Sequence, residues 1–131
     1  MSRRGSAVLL AAAVLTPALV LGACAGPERG PAPARQDSHG DPQRGAALIG
    51  TYGCGTCHQI PGIDNADGLV GPPLTELGRR AYIAGVLPNT PANLEHWIRH
   101  PQQVVPGNAM PDMGVSASDA ADITAYLYKL R

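Results

Sequence analysis

From residue 41 onward, apolar positions recur at helical spacing in three stretches, separated by segments rich in Pro and Gly. Asp41-Pro42 supplies an N-cap and a first-turn proline. A helix is therefore predicted over about 42–52, with Ala46, Ala47, Leu48 and Ile49 inside it. Gly45 stands four residues before Ile49 on the same face, where a missing side chain lets a second helix come close. Thr90-Pro91 repeats the start signal for a helix over about 91–100, with Leu94, Trp97 and Ile98 on one stripe and Pro101 as its stop. Ser116 caps the last helix, and Asp119 takes the capping-box position. Its apolar stripe is Ala120, Ile123, Leu127 and Leu130, flanked by Tyr126, while Lys129 and Arg131 suit its negative end. Ile123 and Tyr126 are expected to pack across Gly45 and Ile49. A short helix is expected over 75–80, loops elsewhere, and no strand.

The first forty residues follow a different pattern. Ser2-Arg3-Arg4 is a short positive start, and residues 7–21 are apolar apart from Thr16 and Pro17. That run is too short and too interrupted for a membrane span, and has the three-part form of a signal peptide. Leu21-Gly22-Ala23-Cys24 resembles a bacterial lipobox, which predicts cleavage before Cys24 and lipidation of that cysteine. Residues 25–40 are dominated by Pro, Gly and Ala and read as a semi-extended tether. The expected organisation is a signal peptide at 1–23, a lipidated Cys24 and tether at 24–40, and a domain at 41–131.

Composition sharpens this picture. The formal charge is zero, which argues against nucleic acid as a partner. Removing residues 1–23 leaves eight basic against ten acidic side chains, so the mature chain is mildly acidic. One Trp, four Tyr and no Phe leave a small domain with little aromatic bulk for its centre. A buried porphyrin would supply it.

Of the three cysteines, Cys24 is accounted for by the lipobox. The other two stand in Cys54-Gly55-Thr56-Cys57-His58, the C-x-x-C-H attachment sequence of a c-type haem. The thiols would form thioethers with the haem vinyl groups, and His58 would ligate the iron. The competing readings are a redox dithiol, a disulfide or half a zinc site, and a zinc site would need a second ligand pair that the sequence lacks.

The remaining candidates follow from haem chemistry. Gly71-Pro72-Pro73-Leu74 is a rigid segment able to hold a carbonyl against the free nitrogen of His58, or a simple turn. Arg79 and Arg80 could pair with propionates. Trp97 could border the haem edge or serve as plain core. Val104–Gly114 is a Pro/Gly loop holding Met110 and Met113, and a thioether is a good axial ligand that raises the iron's potential. Met110 precedes Pro111, which restricts its backbone, but chemistry alone leaves Met113 open. His96 and His100 could ligate only in a bis-histidine variant, and His39 reads as a solvated loop residue.

These segments together resemble a class I cytochrome c domain, of the kind associated with or fused to subunit II of haem–copper cytochrome oxidases. The segments carrying the resemblance are Cys54–His58, Gly71–Leu74, Ala84–Pro91, Leu94–Pro101, Pro106–Pro111 and Asp122–Leu127, spread over nearly all of 41–131. The resemblance implies an all-α fold with crossing N- and C-terminal helices around one covalent haem c. It further implies His58 and Met110 as axial ligands, the Pro72 carbonyl on His58, and Arg80 and Trp97 near the propionates. The family fusions carry a copper domain and membrane helices upstream, whereas a lipidated cysteine and a tether are expected here.

The function expected is that of a monomeric one-electron carrier rather than an enzyme. It would be lipid-anchored at a bacterial membrane, facing the periplasm or the outer side of the cytoplasmic membrane, and would serve a respiratory chain. Its redox partners would be a cytochrome oxidase or a quinol-oxidising complex. The alternative is the cytochrome subunit of a dehydrogenase, or a haem peroxidase, which would need an open axial position and acid–base groups above it.

Overall fold

A computed structural model describes residues 39–131. The signal peptide, the Cys24 lipidation site and nearly all of the tether lie outside the described residues.

Four α-helices carry the fold: α1 (Pro42–Thr51), α2 (Pro91–Arg99), α3 (Pro101–Val104) and α4 (Ala117–Leu127). The three main starts form as their caps predict. Asp41 accepts from the Gln43 amide at 2.8 Å, Thr90 from Asn93 at 3.2 Å and Ser116 from Asp119 at 3.1 Å.

Helices α1 and α4 cross at Gly45, where a Cβ would overlap the Asp122 carbonyl. Gly40 fits equally tightly over Ala121, so the packed chain already includes the last residue of the expected tether. Asp122 is buried, and its carboxylate accepts from the Asp41 amide at 2.6 Å and meets Arg44 at 2.7 Å. Arg44 also pairs with Asp119, whose second oxygen accepts from the Tyr52 hydroxyl at 2.8 Å. The crossing is thus closed by backbone contact inside and a charged clasp outside. Ile49, Leu94, Ile123 and Leu127 bury their side chains beneath it, joined by Ile60, Leu77 and Ile83 from the segments between α1 and α2.

The structure corrects the sequence reading at four places. Pro101 does not simply stop α2: it opens α3, because a proline that cannot continue one helix is well placed in the first turn of the next. The expected helix over 75–80 is a single 3-10 turn, Leu77–Arg79, closed by the Arg80 amide on the Leu77 carbonyl at 3.2 Å and docked by the Gly78 amide on the Leu130 carbonyl at 3.0 Å. Two short strands form where none was expected, β1 (Tyr82–Ile83) and β2 (Leu87–Pro88), paired antiparallel. Their turn places Ala84 and Gly85 at positive φ, and Ala84 gave no turn signal in the sequence. Finally, Ile123 meets Gly45 as expected, but its companion there is Asp122 rather than Tyr126, which sends its hydroxyl to the Pro61 carbonyl at 2.5 Å.

Candidate haem site

The helices leave one side of the domain to loops, and these enclose a cavity of about 610 Å³ with largely apolar walls. That volume lies within the ~300–1,000 Å³ usual for small-molecule and cofactor sites. The floor comes from core residues such as Ile49, Leu94, Ile98 and Ile123.

Gly53, at φ 67°, turns the chain out of α1 into a 3-10 turn, Cys54–Thr56. The turn presents Cys54, Cys57 and His58 to the cavity. The two cysteines form no disulfide, and burial pushes the Cys54 thiol above its ordinary value. No group of three His, Cys, Asp or Glu residues with metal-site geometry occurs among the described residues.

The His58 ring is fixed from two directions. Its Nδ1 lies 2.8 Å from the Pro72 carbonyl, so the proton belongs on Nδ1 and Nε2 is left with a free lone pair. Gly71 lies against the ring at its Cε1, so close that a Cβ there would overlap Cε1 and Nδ1. The loop itself is tied down by the Gly71 amide on the Cys57 carbonyl at 2.8 Å and the Leu74 amide on the Gln59 carbonyl at 2.8 Å. The resemblance pointed to Pro72. The role of Gly71 was legible only as a turn.

Met110 lines the cavity on a clamped backbone. Its amide donates to Asn108 Oδ1 at 2.7 Å, and its carbonyl accepts from Gln102 Nε2 at 2.7 Å. Asn108 also donates from Nδ2 to the Pro101 and Val105 carbonyls. Asn after Gly, two residues before Met110, is the signal that could have found this clamp. Met113 lines the cavity too, but is 43% exposed.

Of the arginines, Arg80 lines the cavity and donates to the Pro73 carbonyl, whereas Arg79 is exposed and 3.9 Å from Glu76. Trp97 lines the cavity, half-buried. His96 and His100 pack against each other with ring centroids 5.5 Å apart, and neither lines the cavity. Tyr52 and the β1–β2 hairpin are wall elements that the sequence did not reveal.

The sequence model of the cytochrome c family matches residues 42–131. The chain belongs to the cytochrome c family. As a cytochrome c domain it carries a covalently bound haem c, and Cys54 and Cys57 fit its attachment. The cavity suits that group: it is apolar, of cofactor size, and edged by an imidazole and by two cysteines that no disulfide engages.

The domain is similar to cytochrome c oxidase subunit 2 of Alkalihalophilus pseudofirmus, 38% identical over 89 residues, which covers 67% of this chain and 25% of that one. It is 35% identical over 82 residues to cytochrome c oxidase subunit 2 of Bacillus sp. strain PS3, covering 60% of this chain and 23% of that one. The chain thus spans about a quarter of the length of the curated relatives it matches.

Among solved structures, SoxXA from P. pantotrophus aligns with a TM-score of 0.56 at 21% identity, over 70% of this chain and 82% of that one. Cytochrome c2 from Rhodobacter sphaeroides aligns with a TM-score of 0.52 at 21% identity, over 70% and 96%. These likenesses bear out the all-α class I cytochrome c fold.

Proposed function

We propose that this protein is a monohaem electron carrier of a respiratory chain, passing single electrons toward a terminal oxidase at a membrane surface. The observation that carries the reading is the cavity itself, where one wall bears Cys54, Cys57 and an oriented His58 and the lining also includes Met110 on a clamped backbone. Haem c supplies one-electron redox chemistry, with a potential that a thioether ligand raises. The chain's own residues hold His58 in one tautomer, hold Met110 at its amide and carbonyl, and keep water from the apolar walls. His58 and Met110 would hold the iron, and Arg80 and Trp97 would meet the propionates. The names of the two oxidase relatives support a terminal oxidase as the electron acceptor. Anchoring through a lipid on Cys24, exposure on the periplasmic or outer side and a monomeric state complete the reading.

The test is spectroscopic. Ferric protein is expected to show the weak near-red iron–thioether band, and ferrous protein to resist carbon monoxide. Met110→Ala should abolish the band, lower the potential and admit carbon monoxide. If Met113→Ala does so instead, the ligand assignment falls. Ready carbon monoxide binding by the unaltered protein would favour a catalytic haem subunit. Fatty-acid labelling that Cys24→Ala abolishes would establish the anchor.

A further inference from the structure

Three segments that border the cavity, 69–74, 81–88 and 109–115, contain a single charged residue, Asp112. The exposed large apolar side chains of the described residues, Leu69, Val70, Tyr82, Val86 and Met113, all belong to these segments. Val70, Tyr82 and Met113 both line the cavity and meet solvent, which places them where the cavity opens. Leu69, 81% exposed, and Val86, 56% exposed, lie beyond the lining, so nothing held in the cavity accounts for them. Arg44, Asp119 and Asp122 close the helix crossing, and Arg80, which lines the cavity, turns to the Pro73 carbonyl.

From this we infer that the opening of the cavity is an uncharged docking surface for a redox protein that presents an uncharged apolar face around its own redox centre. The inference rests on the electron-carrier reading and deepens it by naming the chemistry of the partner. An exposed apolar patch at a functional opening marks an interaction surface. Charged rims steer encounter and make its rate depend on salt. These segments carry one charge, and Arg80 beside them is held on the Pro73 carbonyl, so the rim steers weakly, and a charged partner face would lose its hydration against it without repayment. A few side chains fall well short of the ~1,200–2,000 Å² of a stable interface, which argues against a permanent second copy and suits a brief redox encounter.

The test uses holoprotein of the full chain carrying Cys24→Ser, so that no acyl chain reaches the surface, on gold coated with methyl-, carboxylate- or ammonium-terminated monolayers. The expected result is a reversible one-electron wave on the methyl surface. It should be unchanged between ~0.01 and ~1 M ionic strength, over which the Debye length shrinks from ~30 to ~3 Å. Adding Leu69→Asp or Val86→Asp should cut the adsorbed signal on that surface about tenfold or more, since each would desolvate an unpaired carboxylate. Neither residue lines the cavity, and unchanged haem absorption confirms loading. A wave on charged surfaces alone, removed by salt, would overturn the docking surface and leave the carrier reading intact, and so would unchanged signals in both variants. A dimer in sedimentation that Val86→Asp dissociates would assign the patch to a second copy and also overturn it. Loaded protein with no wave on any surface would overturn the carrier reading and the docking surface with it.

Discussion

The two sides of the domain are held together by different means. Where α1 crosses α4, protein meets protein: a glycine under a carbonyl, a buried carboxylate with an amide and a guanidinium, and a tyrosine on the neighbouring aspartate. On the cavity side the apolar walls face one another across about 610 Å³, and the loops are tied by hydrogen bonds along their own backbones. One side is complete as polypeptide, and the other is shaped around its haem. The effects of substitution should divide accordingly, with stability lost on the first side and cofactor chemistry altered on the second.

The largest effect belongs to the cavity. Replacing both Cys54 and Cys57 by Ser should leave no porphyrin bound after acid–acetone extraction, where the unaltered protein keeps all of it. Retention of tightly bound haem by the double variant would break the comparison at its root. Next is the crossing. Gly45→Val puts a side chain where the Asp122 carbonyl lies, and because backbone cannot step aside as a side chain can, stability should fall by about 3 kcal/mol or more in denaturant titration. Arg44→Ala strips Asp122 of its cation while leaving the Asp41 amide, and should cost about 2 kcal/mol, below the usual penalty for a buried pair because Arg44 is half-exposed. Neither change at the crossing should shift the near-red band.

Gly71→Ala sharpens the contrast. Its Cβ would overlap the His58 ring, so the ring must turn and the Pro72 bond must lengthen or break. The stability cost should be about 1 kcal/mol, the worth of one hydrogen bond. The reduction potential should nevertheless move, since the carbonyl that makes the ring more basic would be lost. A large loss of stability at unchanged potential would show that Gly71 serves the fold rather than the haem.

How far each side could be read from the sequence follows the same division. The crossing was legible because it is local and periodic: Asp41-Pro42, Gly45 and the 120–123–127 stripe announce two helices and the face they share. The haem attachment was legible because its spacing is a chemical requirement. The walls were not. Ala84 adopts positive φ without being Gly or Asn, and Tyr52 faces the cavity only because α1 ends beside it. Asn89 donates to the Leu77 and Arg80 carbonyls and accepts from Tyr128, three partners at separations of 12, 9 and 39 residues. Contacts of that kind exist only once the chain is folded, and no pattern along it records them. Pro101 shows a different limit, since one residue signals both a helix end and a helix start and only the following turn decides between them.

The smallest expected effect tests whether the two sides are separate, because Tyr52 belongs to both: it lines the cavity and donates to Asp119 in the clasp. That bond, strongest with an ionised acceptor, holds the Asp119 carboxyl below its ordinary 3.8 and raises the Tyr52 hydroxyl above 10.0. The signs follow from linkage. Below pH 3.8 the unfolded chain takes up a proton that folded Asp119 refuses, so the contribution is full above that value and fades as pH falls through the lowered one. Above pH 10.0 the unfolded chain releases a proton that folded Tyr52 retains, so the contribution fades as pH rises. In melting temperature measured against pH, the contribution of this pair should therefore be constant between these limits and fall away at both ends. Tyr52→Phe should soften the acid edge and part of the alkaline one. A remainder should persist from Tyr128, which burial raises to about 12 and which Tyr52→Phe leaves in place. If Tyr52→Phe also shifts the near-red band, the clasp reaches the haem through this one ring and the two sides are coupled. If the band stays while the acid edge softens, Tyr52 serves the cavity only as apolar wall and the clasp as a hydroxyl.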